Sequence, residues 1–509
     1  EFDTKIDPAE ISLYFGDDKW RNVIRYFKTI SGSEKKISIE FNNFFFLFCK
    51  IIFKNEKIEK EFPNIEFRNS KEFKHLNNNF KALDLLNRVL FNKKTKFDLK
   101  FFSELQFDDG IFPDTNYNYK FSKNIGIPHL VYHSKILMCL GFICLFKNDK
   151  KSKQIFDKGL HALNILNTQT INSFYGRSNN SLFGRSCLYA VYSIDYILNN
   201  NIMSKEKAKI IFNDILSLQL PDGSISLNKN TNTNNRPGFD RYMYNIVYNS
   251  YSLAIFLLID KLKNKFKSKS VIKYDAKLSE EKTILKNSGF VIFKKNNIKY
   301  CFNYLGHQNF SKYLFDSRIS PFSLNYLEIG GKNILPAMVM SVQPIASLVG
   351  KNFFFRRIKS LYFKFLYYKY LPLLSGNTIS FKHQNQIFYP FKFISKNKNQ
   401  LIYEAKPRRL KKQKSLLFSF NYEASQFNFT QNFSFDFETN IIYSLRSKSE
   451  LTELKKNIIE LKYMRYEFNH NFILEKKIIT PTSDNIAVIY FLKFKKVKKL
   501  KIIINWDEN

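Results

Sequence analysis

Apolar and polar positions follow two different periods along this chain, and the change falls close to its midpoint. Up to about residue 260, apolar residues recur every three or four positions over long segments, the spacing that gives a helix one buried face. FDLKFFSELQ, FDKGLHALNILNTQ and AKIIFNDILSLQ are of this kind. Each is followed by a polar, Asn- and Gly-rich stretch and then a second apolar helix. These second helices read PHLVYHSKILMCLGFICLF, NSLFGRSCLYAVYSIDYIL and RYMYNIVYNSYSLAIFLLIDKL. Beyond the Lys-rich stretch Lys261–Lys269 the character changes. From Ser288 onward, segments such as GFVIFKKNNIKYCFNYLG, SLNYLEIGGKNIL, QIFYPFKFIS, SLLFSFNYEASQFNFTQNFSFDF and NIAVIYFLKF alternate at period two, broken by Gly, Asn and Ser. That pattern predicts antiparallel strands. FFFRRIKSLYFKFLYYKYL (Phe353–Leu371) is the exception, a basic aromatic helix expected to pack on the sheet rather than to lie on a membrane or act as a lid.

The helical half contains a repeat. QFDDGIF at Gln106–Phe112 recurs as QLPDGSI at Gln219–Ile225, with a degenerate copy, QTINSFYGRS, starting at Gln169. Asp-Gly stops the first helix of each unit, because Gly takes positive φ at little cost and Asp bonds the local backbone. Helix pairs of this size bury a continuous core only by stacking on neighbours. The expected fold class is therefore multidomain, α then β. An incomplete (α/α) toroid is expected over residues 1–270 and an antiparallel β-sandwich over 285–509. Glu1 is not a methionine and the chain stops just after an apolar run, so both ends read as cut.

Composition narrows the picture only partly. The 509 residues carry 81 Lys and Arg against 44 Asp and Glu, a formal net charge of +37 that favours a polyanionic partner. Abundant Lys, Asn, Ile, Phe and Tyr together are also what an AT-rich genome produces, so the charge does not choose the partner. Cys49, Cys139, Cys144, Cys187 and Cys301 lack metal-ligand spacing and read as small buried thiols, with no metal and no cofactor indicated. Phe41–Phe53 is short and interrupted by Lys50, so no integral membrane segment is expected. Nor is there zinc spacing, a helix-turn-helix signature, an RNP motif or a phosphate-cradling glycine loop, and no nucleic-acid partner is expected.

Three stretches carry a family resemblance: FYGRSNNSLFGRS (Phe174–Ser186), PDGSISL with RPGFDRYMYNIVYNSYS (Pro221–Ser252), and SGFVIF with GHQNFSKYLFDSRISPFSLNYLEIGGKNIL (Ser288–Leu335). In these the chain resembles the heparinase II/III-like and alginate-lyase-like polysaccharide lyases. The resemblance implies β-elimination on an acidic, uronate-containing glycan, and a periplasmic or extracellular location. It departs from the family in having a single histidine, His307, where a closely spaced pair is common.

Such chemistry needs hydrogen-bond donors that neutralise the uronate carboxylate, and a Tyr or His within reach as acid and base. Arg177, Asn179, Asn180 and Arg185 form a dense donor cluster, and Arg236 and Arg241 add two cations. Arg241 beside Tyr242, with Tyr244 following, favours a phenolate; Tyr244 is preferred to Tyr242 as the catalytic group. His133, at the start of a second helix, and His307 complete the catalytic candidates, although a packed or capping histidine is the commoner use of such a position. Asp108 and Asp109 read as a structural turn. Two other functions stay open: a non-catalytic glycan-binding or surface-polysaccharide assembly protein, and a toroid glycoside hydrolase drawing its two carboxylates from Asp109, Asp114, Asp222 and Asp240.

Overall fold

The computed structural model describes residues 39–41, 43–44, 47, 67, 77–92, 99–113, 130–166, 182–220, 225, 245–263, 282–306, 321–336, 369–370, 373–374, 376–397, 400–407, 415–481 and 486–506. The chain divides into two compact units, one carrying the helices and the other the sheets. The predicted basic helix over Phe353–Leu371 falls almost wholly outside the described residues.

Seven helices of defined extent are described in the first unit. They are α1 Asn78–Leu90, α2 Leu99–Leu105, α3 Leu130–Lys147, α4 Lys150–Leu166, α5 Leu182–Asn199, α6 Ile202–Leu216 and α7 Asn245–Lys263. The odd-numbered helices form a row, α1 on α3, α3 on α5 and α5 on α7. A second layer covers it, with α4 on α3, α6 on α5 and α2 against α4. Asn148 and Asn200 end α3 and α5 in the left-handed region, both at φ 50°, and their amides bond back to Cys144 O and Tyr196 O at 2.8 Å. Asp149 and Asn201 then cap the next helix, accepting from Ser152 N at 2.6 Å and Met203 N at 3.1 Å. Two-residue turns of this kind force antiparallel hairpins.

α3 is apolar nearly all round because it is enclosed. Among the described residues it alone is long and apolar enough to cross a membrane, and 83% of it is buried inside the unit. Cys139, Cys144 and Cys187 in this unit and Cys301 in the other are free, buried thiols. Burial pushes them up, Cys139 to about 12, so they are unreactive packing residues. Among the described residues no three His, Cys, Asp or Glu side chains come together as a metal site.

The second unit holds two antiparallel sheets. The smaller is a five-strand meander, β1 Lys282–Leu285, β2 Phe290–Lys295, β3 Ile298–Asn303, β4 Leu324–Ile329 and β5 Lys332–Asn333. The larger has ten strands: β6 Thr378–His383, β7 Gln386–Asn397, β8 Gln400–Pro407, β9 Leu416–Ala424, β10 Asn428–Ser447, β11 Glu453–Leu454, β12 Ile458–Leu461, β13 Met464–Phe468, β14 Ile473–Pro481 and β15 Ile486–Trp506. Twenty-residue β10 carries β15 on one edge, while β6 and β9 share the other, so the run β6–β7–β8–β9 leaves and rejoins the same strand. One apolar core joins the sheets: Phe302 of β3 meets Tyr422 at 4.8 Å and Phe429 at 5.0 Å, and Tyr300 meets Trp506 at 5.1 Å. Two sheets closed over one core make a sandwich.

A buried polar knot sits inside it. Asn377, at φ 53°, accepts at Oδ1 from the hydroxyls of Tyr466 (2.9 Å) and Tyr443 (3.3 Å), and its Nδ2 donates to Leu324 O at 3.3 Å. Gln431 donates to Phe322 O at 2.9 Å and accepts from Tyr443 at 3.0 Å. Burial pushes both phenols upward, so they stay protonated and serve as donors. Replacing Asn377 removes the acceptor of Tyr466 and one of those within reach of Tyr443. Asn377→Ala should therefore cost about 3 kcal/mol or more in chemical denaturation, with Tyr443→Phe costing less because Asn377 Oδ1 keeps Tyr466 and only Gln431 Oε1 loses its donor.

Candidate functional site

The repeated Gln-x-x-Asp-Gly turn is locked onto the helices that follow it. Gln106 closes α2 through Phe102 O at 3.1 Å, and Phe107 N bonds Ile111 O at 3.0 Å across the Asp108–Asp109–Gly110 turn. Gly110 sits at φ 92°, and a Cβ there would collide with Lys158 O. Asp109 Oδ1 accepts from Ile111 N at 3.3 Å, the structural-turn role expected of this pair. The Gln106 side-chain amide, at 3.0 Å from each, donates to Gly110 O within the turn and to Ile155 O of α4.

His133 completes the lock. Its Nδ1 accepts from Phe112 N at 3.1 Å and its Nε2 lies 3.1 Å from Gly159 O. An amide only donates and a carbonyl only accepts, so the ring is the neutral tautomer with its proton on Nε2. A second proton on Nδ1 would face the Phe112 N–H. The ring is fully buried, and desolvation lowers its pKa to about 4 against the opposing pull of Gly159 O. The sequence made His133 a candidate acid or base; in this geometry neither nitrogen is left for a substrate. The turn has claimed it.

The second repeat does the same with a different residue. Gln219 and Ile225 pair as an antiparallel bridge, Ile225 N donates to Asn249 Oδ1 at 2.7 Å, and Asn249 Nδ2 returns a bond to Ile225 O at 2.9 Å. Phe112 and Ile225 stand at the same offset from their glutamines, and His133 and Asn249 are each followed by serine. The sequence reading missed Asn249; the signal was the shared pair, His-Ser in one helix and Asn-Ser in the other. Arg185, in Arg-Ser, occupies the matching position of α5. Ser186 bonds Leu182 O as Ser134 bonds Leu130 O, at 2.8 and 2.9 Å. Arg185 is 4% exposed, with Nε 3.4 Å from Asp214 Oδ2, so this substrate-binding candidate is held inside the helical unit.

The N-terminal turns of α3, α5 and α7 converge. Phe183 packs on Tyr248 at 5.4 Å and stacks on Tyr251 at 5.1 Å, and the Ser186 and Ser252 hydroxyl oxygens lie 2.6 Å apart. Lys135 reaches the same place, its Nζ over Phe41 at 4.2 Å, Phe80 at 4.7 Å and Phe183 at 5.5 Å, and bonded to Asn79 Oδ1 at 3.0 Å. This buried cation was also missed, although a lysine inside an otherwise apolar helix is the visible sign. Tyr242, Tyr244, His307, Arg177, Asn179, Asn180, Arg236 and Arg241 lie outside the described residues.

Two outcomes follow from the lock. His133→Ala leaves the buried Phe112 N–H and Gly159 carbonyl without partners and should cost about 2–4 kcal/mol, whereas His133→Asn keeps an acceptor as Asn249 does and should cost clearly less; urea denaturation of both compares them. The folded-state pKa of His133 lies below its unfolded value. Its contribution is therefore present above pH 6.5 and lost as pH falls toward about 4, worth about 3 kcal/mol over that window. His133→Asn should flatten the stability profile across the same window.

No protein-family model matches the chain, and no curated protein matches it. Among solved structures, it is similar to heparan sulfate lyase HepC from Pedobacter heparinus, at 12% identity and a TM-score of 0.31 over 98% of this chain and 75% of that one. It is similar to a heparinase III at 11% identity and a TM-score of 0.34, over 99% and 76% of the two chains. A possible member of the GH105 family from Salmonella enterica aligns over 52% of this chain and 84% of its own, at 13% identity and a TM-score of 0.33. At TM-scores of this size the likeness does not by itself assign a fold or a chemistry.

Proposed function

We propose that the chain is a polysaccharide lyase that cleaves an acidic, uronate-containing glycan by β-elimination, with its helix row curving into an incomplete toroid. The observation that carries this reading is the convergence of the N-terminal turns of α3, α5 and α7. Helix N-termini present unbonded amides and a partial positive charge, and so favour anions. Asn179 and Asn180 precede α5 by only a few residues, and Tyr244 immediately precedes α7. Connectivity therefore ties the amide and tyrosine candidates to two helix starts that touch through Phe183 and Tyr248.

In the proposed reaction Arg177, Asn179 and Asn180 bond the substrate carboxylate, with Arg236 and Arg241 adding positive charge. This acidifies the proton on carbon five. Tyr244, its phenolate favoured by Arg241, takes that proton. The released electron pair forms the double bond between carbons four and five as the bond from carbon four to the glycosidic oxygen breaks. A proton from the acid, with Tyr242 or His307 as the alternatives, goes to the departing oxygen. His133 and Arg185 serve instead to hold the helix starts.

Purified protein should raise ultraviolet absorbance on a uronate polysaccharide as the unsaturated product forms. Tyr244→Phe should lower that rate by about 10²–10⁴-fold with the fold intact. Appearance of reducing ends without unsaturation would instead indicate hydrolysis, and binding without cleavage a non-catalytic glycan-binding protein.

A further inference from the structure

β15 carries six lysines within nine residues, Lys493, Lys495, Lys496, Lys498, Lys499 and Lys501, interrupted only by Phe494, Val497 and Leu500. An ordinary strand exposes every second residue. Here Phe494, Val497, Leu500 and Ile502 all point into the sandwich core, so two lysines in succession lie between consecutive core residues on two occasions. The pairing with β10 shifts register on both sides of Thr439↔Val497, the mark of β-bulges. Lys496 takes φ 50°, and its amide donates to Asn440 Oδ1 at 3.1 Å, so the neighbouring strand supplies the bond that the bulge removes. The result is a ridge on which Lys495, Lys496, Lys498, Lys499 and Lys501 are all exposed.

The backbone beneath the ridge is held from both edges. Ser434 and Asn432 of β10 pair with Lys499 and Lys501 on one side. On the other, Asn469 bonds Lys499 O (3.2 Å) and Lys501 N (2.8 Å), and His470 Nε2 lies 2.9 Å from Lys499 O. Exposed lysines commonly guard an edge strand against pairing with another chain. Here the edge opposite β10 lacks a partner strand only between Lys493, where the pairing with β14 ends, and Ile502, where that with β13 begins. Asn469 and His470 already bond the backbone at Lys499 and Lys501, so guarding an edge accounts for Lys495, Lys496 and Lys498 but not for Lys493, Lys499 and Lys501.

Carboxylates of the strands and turns between β10 and β15 are paired with other cations. Glu460 and Glu467 both bind Arg465, Glu450 binds Lys477, and Glu453 binds Lys455. Asp436 and Glu438, exposed on the facing stretch of β10, offset part of the charge. Among the described residues no carboxylate lies within ion-pair distance of any ridge lysine.

We propose that this ridge, carried by the β unit, is a docking surface for an acidic polysaccharide chain that acts independently of catalysis; the class of polymer rests on the function proposed above. Nine residues of strand span roughly 25 Å, which suits anions repeated along a polymer rather than a single ion. The ridge interleaves no exposed aromatic rings between its lysines, as a surface that stacks nucleic-acid bases would.

The test is binding of full-length protein to immobilised heparin, a sulfated uronate glycan, across a salt series. The variant carries Lys495→Gln, Lys498→Gln, Lys499→Gln and Lys501→Gln. A control removes the same charge from helix surfaces, with Lys150→Gln, Lys151→Gln, Lys158→Gln and Lys209→Gln. The ridge variant should lose affinity by about tenfold or more, with the slope of log affinity against log salt falling by about one for each contacting lysine. The control should bind nearly as the unmodified protein does, and thermal unfolding of both should be unchanged. Equal losses in the two variants would reduce the effect to net charge and overturn the proposal. So would unaltered binding by the ridge variant, or a duplex oligonucleotide binding more tightly than heparin with the same dependence on the ridge. Tyr244→Phe separates the two readings: elimination lost with ridge-dependent binding retained supports both. Ridge-dependent binding in a protein that never eliminates keeps the ridge alone.

Discussion

A buried backbone amide must find an acceptor, and in the helical unit that requirement fixes the arrangement of the repeats. The turn after α2 passes beneath the next helix, so the Phe112 N–H cannot reach water, and His133 supplies the acceptor. Through its other nitrogen the same ring reaches Gly159 of α4, so one side chain ties a turn and two helices together. Gln106 makes a parallel tie from the turn to Ile155. The second repeat meets the same need at Ile225 with Asn249, which offers both an acceptor and a donor. A histidine serves in one repeat and an asparagine in the other because both offer an acceptor aimed at one amide. They differ in where the second bond goes, to Gly159 of α4 for His133 and back to Ile225 for Asn249.

That requirement also separates what the sequence reveals from what it hides. The glutamines, the Asp-Gly turn and the amphipathic helices around them are local features, and they locate helices and the first turn. The tight hairpins, α3 with α4 and α5 with α6, instead join the second helix of one unit to the first of the next. The use of His133 is not local. It depends on Phe112 and Gly159 arriving from two other segments, so a histidine near a helix start looks like a catalytic group until its nitrogens are counted. Arg185 resembles a ligand in sequence for the same reason; its burial and its approach to Asp214 are tertiary facts. Most of the other candidates fall in the polar stretches between helices, where apolar periodicity carries no information.

In the β unit, alternation identifies β2, β3, β4, β7, β9, β10, β15 and, in IIELKYMRYEFNHNFILEKKIIT, β12 to β14, but overlooks β6 and β8, whose TISFKH and QLIYEAKP are short or mixed in polarity. Their pairing with β7 and β9 is a relation between segments and leaves no periodic trace. The lysine-rich part of β15 is concealed in the opposite way. Its near three-residue period suggests a helix, and only Asn440 from β10 and the shifted register show it to be a bulged strand. Asn377 is likewise an unremarkable loop asparagine in sequence, and becomes essential only when Tyr443 and Tyr466 converge on it.

The twenty-one residues of β15 give the sandwich a particular order of assembly. This strand lies between β10 and the pair β13 and β14, and its Leu492, Leu500, Ile502 and Ile504 form part of the core closed by both sheets. It follows every one of those partners in the chain. During synthesis the preceding strands emerge with the edge of β10 unpaired and part of the apolar core exposed, a state prone to association with other chains. These pairings wait for β15, and those with β10 span long sequence separations that slow folding. The pairings of β10, β13 and β14 with β15 therefore form only after those strands have emerged, and a β15 slow to dock leaves their edges open to other chains.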